Sequence, residues 1–206
     1  MLENGEAIFL RFFKLRAEFC AIKAELIRYW PNTMFGLGIR QRYYFNKMNR
    51  YIKYIGRGCL IDRVEATTIG DGVILGDNVI MAISGMSKCF IGNNVGIGEG
   101  TFLRSANHNY QDMERLIMDQ GHTWKRVKFN GKEYGIVIED DVWIGAHSIV
   151  LSGTHIGKGS VISAGSVISS FIPPYSIAVG NPARVIANRK SLVAYSTQLK
   201  KDILNE

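Results

Sequence analysis

The sequence predicts an all-β solenoid, in which short strands follow one another around a three-sided coil. The main observation is a six-residue rhythm in the second half of the chain, where every sixth residue is a branched aliphatic. This period is neither the 3.6 of a helix nor the 2 of a plain strand. One inward aliphatic on each side of a triangle accounts for it. These aliphatics are Ile138, Ile144, Val150, Ile156, Ile162 and Ile168.

A second series of small or β-branched residues accompanies the aliphatics. Each lies four residues after an aliphatic, where we expect it near a corner of the triangle: Val142, Ser148, Thr154, Ser160 and Ser166. Stacked coils share one core and pair their backbones about 4.8 Å apart, so several copies are needed before the core closes. Burial of each inward Ile contributes roughly 1.5–3 kcal/mol.

The same rhythm occurs earlier in the chain and is interrupted once. It runs through residues 69–80 and 91–102, and Ile55 and Ile61 begin weaker copies. Gly or Asn follows most of the aliphatics, where we expect bends with unusual backbone angles. Between residues 105 and 135 the rhythm is absent. Because long loops without a pattern of their own are usually functional, we predict that this loop belongs to the active site.

Two motifs resemble the hexapeptide-repeat acyltransferases. Residues 140–146, DDVWIGA, are similar to the signature repeat of that family, and residues 180–185, GNPARV, to the segment that closes its coil. The resemblance covers residues 55–187 and is greatest to acetyltransferases of surface polysaccharides, galactosides, maltose and antibiotics. It implies a left-handed parallel β-helix, against the usual crossover rule. It also implies a homotrimer with each active site between two subunits.

The composition predicts one domain in a reducing compartment. A chain of 206 residues allows a single domain with modest appendages. Its cysteines, Cys20, Cys59 and Cys89, have no paired or metal-like spacing, which favours a reduced, cytoplasmic protein. The first residues do not resemble a secretory signal. No apolar run approaches the ~20 residues that span a bilayer.

Residues 1–54 form a basic, aromatic segment with two interpretations. Residues 1–60 carry eleven Lys and Arg against four Asp and Glu, whereas the remainder is balanced. We predict an amphipathic helix over residues 6–29, ended by Pro31, and a second basic aromatic stretch over residues 40–54. The segment either touches an anionic membrane at its inner face or packs on the end of the coil. No nucleic-acid motif accompanies the charge. Residues 188–206 are predicted to be a short helix or tail.

His108 is the predicted catalytic residue. It lies where the rhythm gives way to the loop, in the run SANHNYQD. An imidazole exchanges protons near neutral pH, and the resemblance implies that this histidine is the general base, worth roughly 10²–10⁴-fold in rate. The alternative is a polar histidine that caps a turn. Asn107, Tyr110 and His122 are predicted to bind the acceptor, and Tyr110 or Asp112 to orient the imidazole.

The resemblance also implies acetyl-CoA as the donor. We expect direct transfer, because no cysteine has an adjacent base that would activate it. Trp143 is predicted to form a wall for donor or acceptor, and a guanidinium near the coenzyme phosphates suits their geometry. The alternatives are ordinary corner residues and solvated surface cations. The predicted donor-site residues are Trp143, Gly145, Ala146, Ser163, Ala164, Arg184 and Lys190, with Arg189 assisting.

Three alternatives to sugar O-acetylation remain open. A zinc enzyme on this kind of coil uses three histidines, but His147 and His155 are expected to point in different directions, so no metal is predicted. A non-catalytic scaffold is compatible with the repeats alone. N-acetylation of an amino sugar often involves an N-terminal nucleotide-binding unit, and no such pattern precedes residue 55. We therefore favour O-acetylation of a carbohydrate acceptor, a surface polysaccharide or its precursor.

Overall fold

The computed structural model describes residues 18–192, most of which form very short strands. Helix α1 covers residues 18–28, and α2 covers Met34–Met48. The first strands are β1 (Tyr54–Ile55), β2 (Leu60–Ile61), β3 (Thr67–Ile69), β4 (Ile74–Leu75), β5 (Ile80–Ala82), β6 (Cys89–Ile91), β7 (Gly96–Ile97) and β8 (Phe102–Arg104), with a 3₁₀ turn at Val64–Ala66.

The next strands belong to an insertion, residues 105–135, and to the coils that follow it. The insertion contains β9 (Asn107–His108), a 3₁₀ turn (Ile117–Asp119), β10 (His122–Thr123), β11 (Val127–Phe129) and β12 (Lys132–Tyr134). The later coils contain β13 (Ile136–Ile138), β14 (Trp143–Ile144), β15 (Ile149–Leu151), β16 (Thr154–Ile156), β17 (Val161–Ile162), β18 (Val167–Ile168), β19 (Phe171–Ile172), β20 (Ser176–Val179) and β21 (Arg184–Asn188). Helical residues 189–192 end the described chain.

Successive strands enter three sheets in a fixed cyclic order, which makes the chain a three-sided coil. Sheet A contains β1, β4, β7, β14, β17, β20 and β21; sheet B contains β2, β5, β8, β15 and β18; sheet C contains β3, β6, β13, β16 and β19. The pairing is parallel and joins equivalent positions, so that Ile144 lies between Ile97 and Ile162. Within these three sheets of the described chain, only β21 runs antiparallel, against β20. The predicted coil of stacked strands is confirmed.

The six-residue rhythm corresponds to the core of the coil. All six predicted aliphatics from Ile138 to Ile168 are at most 1% exposed, and the accompanying small residues are equally buried. Ile55 and Ile61 begin the same core. The buried hydroxyls are hydrogen-bonded: Ser148 Oγ donates to the carbonyl of Gly145 at 2.8 Å, Ser166 Oγ makes the equivalent bond to Ser163, and Thr154 Oγ1 donates to the carbonyl of Ile168 at 2.9 Å. The predicted inward positions are therefore confirmed.

The expected reason for the glycines after the aliphatics is wrong. These glycines do not have positive φ angles; positive φ occurs two residues further on, for example at Asn94 (54°) and His147 (56°). The glycines instead permit close approach between coils. A Cβ on Gly70 would lie 2.6 Å from the backbone carbon of Gly92, so only hydrogen fits there.

Helix α2 closes the end of the coil with part of the basic aromatic stretch. The guanidinium of Arg40 is buried and donates to Trp30 O, Asn32 Oδ1 and Ile55 O at 2.7–2.9 Å. The phenol of Tyr44 is also buried, and desolvation raises its pKa to about 12. For these two residues the packing interpretation holds. Phe45 and Tyr51 are exposed, and a membrane contact through residues 1–54 stays a prediction.

Two predicted terminal elements lie partly outside the described residues. These are the first part of the predicted helix over residues 6–29 and the end of the tail over residues 188–206. Within residues 18–192, no helix has the length and apolar character that a membrane crossing needs.

Candidate active site

A groove of about 630 Å³ lies on sheet A and continues along the corner between sheets A and B. Trp143 stands above it on β14 and is 60% exposed. Its neighbour in β7 is Gly96, which leaves room beside the indole. The groove brings together five of the predicted donor-site residues: Trp143, Gly145, Ala146, Ser163 and Ala164.

Three glycines leave backbone amides uncovered along this groove. Each follows an inward aliphatic, and a Cβ on it would collide with the amide nitrogen of a residue in the next coil. The pairs are Gly76 with Glu99 (2.7 Å), Gly98 with Ala146 (2.5 Å) and Gly145 with Ala164 (2.4 Å). Within residues 18–192 none of these three amides donates a backbone hydrogen bond. The groove therefore offers a row of donors about 4.8 Å apart, the spacing of stacked strands.

Gly76, Gly98 and Glu99 were not among the residues predicted from the sequence. Their signal was nevertheless present, because each repeats the position of Gly145 or Ala146 one or two coils earlier. The residues predicted for the donor site lie only in the coils that contain the family motifs and in those that follow them. The structure shows that the same backbone feature recurs along the whole length of the groove.

The insertion leaves the coil between sheet B and sheet C and folds into two hairpins. Strands β9 and β10 are antiparallel, as are β11 and β12. The second hairpin packs on the outside of sheet C, where Phe129 contacts Phe90 (ring centroids 5.0 Å apart) and His155 (5.5 Å). Val137, which lies on the outer face of sheet C, is consequently buried like the inward residues Ile136 and Ile138. The hairpins give the insertion a structure that its sequence pattern did not predict.

His108 lies in the first hairpin, directly opposite His122. The two imidazole centroids are 4.6 Å apart, with the rings inclined at 33°. Nδ1 of His108 is buried and has no hydrogen-bond partner within residues 18–192, which leaves Nε2 as the nitrogen that can meet a substrate. Asn107 and Tyr110, the other predicted acceptor residues, are exposed beside it.

The two groups expected to orient His108 are placed elsewhere. Tyr110 is 68% exposed. The carboxylate of Asp112 accepts from the amide of Glu114 at 3.0 Å, and the Asp112 backbone is bound by Gln120. Neither residue hydrogen-bonds to the His108 ring.

Within one chain, the groove and His108 lie at different corners of the coil. The groove follows sheet A and the corner between sheets A and B, whereas His108 follows strand β8 at the corner between sheets B and C. A single chain therefore presents the predicted donor site and the predicted base on separate surfaces.

The predicted phosphate-binding cations are also separated from one another. Arg184 lies opposite Val179 in β21, two strands beyond Ser163, and its guanidinium donates to the carbonyl of Ala183 at 3.0 Å. Lys190 lies past the other end of β21, with Nζ 4.0 Å from the centre of the Tyr175 ring. Arg189 is bound there too, to Asp141 at 3.2 Å. Because β21 runs antiparallel for about 13 Å, it carries Lys190 away from the groove. Arg189 instead lines an adjoining pocket with Gly96 and Trp143, which also line the groove.

The two histidines considered for zinc do have different environments. His147 occupies a left-handed turn (φ 56°) and stacks over Gly100. His155 Nε2 lies 2.6 Å from the Glu139 carboxylate. In the part of the chain that the structure describes, no three His, Cys, Asp or Glu side chains are arranged to hold a metal ion.

Comparison with known proteins identifies the family. The bacterial transferase hexapeptide (six repeats) family matches residues 135–170. A putative acetyltransferase of Saccharomyces cerevisiae is 31% identical over 166 residues, which cover 76% of this chain and 78% of the relative. The chain belongs to the hexapeptide-repeat acetyltransferases. The chain spans less than half the length of two other relatives: 37% of a probable acetyltransferase of Mycobacterium tuberculosis (38% identity, 59% of this chain) and 41% of a putative acetyltransferase of Schizosaccharomyces pombe (43% identity, 47% of this chain).

Two solved structures share most of the fold. A maltose O-acetyltransferase from Clostridium difficile is 27% identical with a TM-score of 0.65, covering 83% of this chain and 84% of that one. A hexapeptide-repeat acetyltransferase of Vibrio cholerae, solved in complex with acetyl-CoA, is 25% identical with a TM-score of 0.58, covering 82% and 84%.

Proposed function

We propose that the protein transfers an acetyl group from acetyl-CoA to a hydroxyl of a sugar. The groove under Trp143, with its row of free amides at Glu99, Ala146 and Ala164, carries this proposal. Such donors suit the amide carbonyls of the pantetheine arm. The Vibrio relative was solved with acetyl-CoA, which supports the same donor here. The similarity to a maltose O-acetyltransferase supports a sugar hydroxyl as acceptor.

His108 is the proposed general base. Its accessible Nε2 would remove the proton of the acceptor hydroxyl as the oxygen attacks the thioester carbonyl. The carbon–sulfur bond then breaks, and the proton passes from the imidazole to the departing CoA sulfur. No covalent acyl-enzyme is needed. Of the residues predicted to bind the acceptor, His122 lies opposite His108 on the first hairpin, and Asn107 and Tyr110 are close to His108 in the chain.

The proposed assembly is a homotrimer of left-handed coils. Because the groove and His108 lie at different corners of one chain, a complete site requires the groove of one subunit to face the insertion of its neighbour. A cyclic arrangement repeats this contact at each interface. Arg184, two strands beyond Ser163, is the proposed contact to the coenzyme phosphates. Lys190, which lies away from the groove, is not proposed to contact the phosphates.

The acceptor is proposed to be a surface polysaccharide or a precursor sugar. Acetyl-CoA consumption against a panel of glycans and small sugars, followed by free thiol and product mass, tests the reaction. A base-labile acetyl group on a sugar supports O-acetylation. A base-stable product indicates N-acetylation of an amino sugar. If no acceptor is used and acetyl-CoA does not bind, the chain is a scaffold.

The His108→Ala variant tests the base. We expect turnover to fall by roughly 10²–10⁴-fold, because a hydroxyl is a poor nucleophile without proton removal. Binding of acetyl-CoA should stay within twofold (about 0.4 kcal/mol), since the amides and Trp143 that line the groove are unchanged. Near-normal turnover in this variant would contradict the assignment of His108.

A further inference from the structure

We infer that His122 is a positioning residue for His108, which it holds by stacking ring against ring. The inference rests on the proposed function, in which His108 is the general base. It assigns to His122 a role different from acceptor binding. The observation behind it is the close pairing of the two imidazoles across the first hairpin, with centroids 4.6 Å apart.

His108 lacks the hydrogen bond that usually fixes a catalytic imidazole. In a Ser-His-Asp site, a carboxylate on Nδ1 sets the tautomer and the orientation of the ring. Here Nδ1 of His108 is buried and has no partner among the residues that the structure describes. Tyr110 and Asp112 make no hydrogen bond to the ring, so its orientation must have another source.

The hairpin places His122 beside the His108 ring, where it can fix the orientation of that ring. His108 and His122 are direct cross-strand partners, whose Cβ atoms lie about 4.5–5.5 Å apart in antiparallel pairs. The backbone of Asn109 donates to Gly121 O at 3.0 Å, and Gly121 adopts φ 72°, a conformation that suits glycine. The backbone that carries His122 is therefore held immediately next to the ring.

The ring geometry is that of an aromatic contact. Aromatic pairs prefer offset or tilted arrangements with centroids about 4.5–7 Å apart, and the observed 4.6 Å at 33° falls in that range. Rotation of the His108 ring about χ2 would remove its overlap with the His122 ring and move Nε2 away from the acceptor. His122 thus restricts the orientation of the His108 ring without a hydrogen bond. Any flat side chain at position 122 should be able to do the same.

Replacement of His122 by Ala and by Phe separates positioning from acceptor binding. In His122→Ala we expect kcat to fall about tenfold, with KM for acetyl-CoA and acceptor within about twofold of wild type. His122→Phe should restore kcat to within about threefold, because a flat ring is present again. Thr123→Ala, an exposed neighbour on the same strand, is the matched control and should behave as wild type.

Three outcomes would overturn the inference. The first is a His122→Ala variant with normal kcat. The second is a Phe variant as impaired as the Ala variant, which indicates that a polar group of His122 is used. The third is a loss confined to KM for the acceptor, which indicates that His122 binds the acceptor directly.

A measurement without turnover keeps this test separate from the proposed function. The chain has four histidines, so ring signals of a histidine-labelled protein can be assigned by single replacements. NMR relaxation should report a more mobile His108 ring in His122→Ala but not in His122→Phe. If wild type transfers no acetyl group, the proposed function fails, and ring mobility still decides: an equally rigid His108 ring in His122→Ala overturns the positioning role.

Discussion

The coils and the insertion are held in place by different kinds of interaction. In the coils, every turn buries an aliphatic residue in one continuous core. The insertion buries little and exposes Met113 (89%), Leu116 (75%) and Met118 (73%). Its hairpins depend on a few aromatic contacts and cross-strand pairs. The coils therefore determine stability, whereas the part with the proposed base depends on a small number of contacts.

The largest effect on stability should come from the core of the coils. Replacing Ile144, which is fully buried, by Ala should lower the free energy of unfolding by about 2–5 kcal/mol, through lost burial and the cavity left behind. Ile149→Ala is the control, since Ile149 is 37% exposed on the next strand; it should cost less than about 1 kcal/mol. Denaturant unfolding measures both. Equal losses in the two variants would contradict the assignment of the core.

High pH should weaken the start of the coil. Burial raises the pKa of the Cys59 thiol from 9.0 to about 11, so the fold favours the protonated form. The contribution of the protonated thiol to the free energy of unfolding is fully present below pH 9. It is lost as the pH rises through 11, and it amounts to about 2–3 kcal/mol. Stability measured from pH 8 to 11 should fall less steeply in Cys59→Ala than in wild type. Parallel curves would show that the thiol does not contribute.

Substitution of a glycine between coils should have an intermediate effect. Gly70→Ala places a Cβ 2.6 Å from the backbone of Gly92, and overpacking of this kind costs about 1–3 kcal/mol. Gly38→Ala is the matched change, because Gly38 lies in α2 with open space around it; it should stabilise by about 0.5–1 kcal/mol. Chemical denaturation of both variants tests whether close approach is the reason for these glycines. A neutral Gly70→Ala would refute that reason.

Loosening the insertion should affect activity more than stability. Phe129→Ala removes contacts with Phe90 and His155, for which we expect about 1 kcal/mol or less in stability. Trypsin cleavage after Arg115 should accelerate, and kcat should fall while acetyl-CoA binding is unchanged. Phe171→Ala is the control, because Phe171 also contacts His155 but belongs to the coil. Equal cleavage rates would show that Phe129 does not anchor the insertion.

The sequence predicts the coils well because period and burial are directly linked there. Ile138 and its counterparts recur every six residues since each coil has the same geometry. The reason for the glycines was missed, because glycine serves both positive φ and close approach, and only the stacked backbone distinguishes them. The hairpins were missed because two- and three-residue strands of mostly polar residues have no detectable period. The pairing of His108 with His122 depends on the register between β9 and β10. The distance of Lys190 from the groove depends on the antiparallel direction of β21.

In the assembly that we propose, the coils of one subunit hold the donor and the insertion of a neighbouring subunit supplies the base. His108→Ala removes the base, and Ala164→Trp fills the groove at an exposed lining residue; each variant alone should be inactive. When the two chains are co-assembled in equal amounts, random mixing in a ring leaves about one quarter of the sites with an intact base and an intact groove. We predict that about one quarter of wild-type activity returns. A mixture no more active than either variant alone would show that donor groove and base do not come from different subunits.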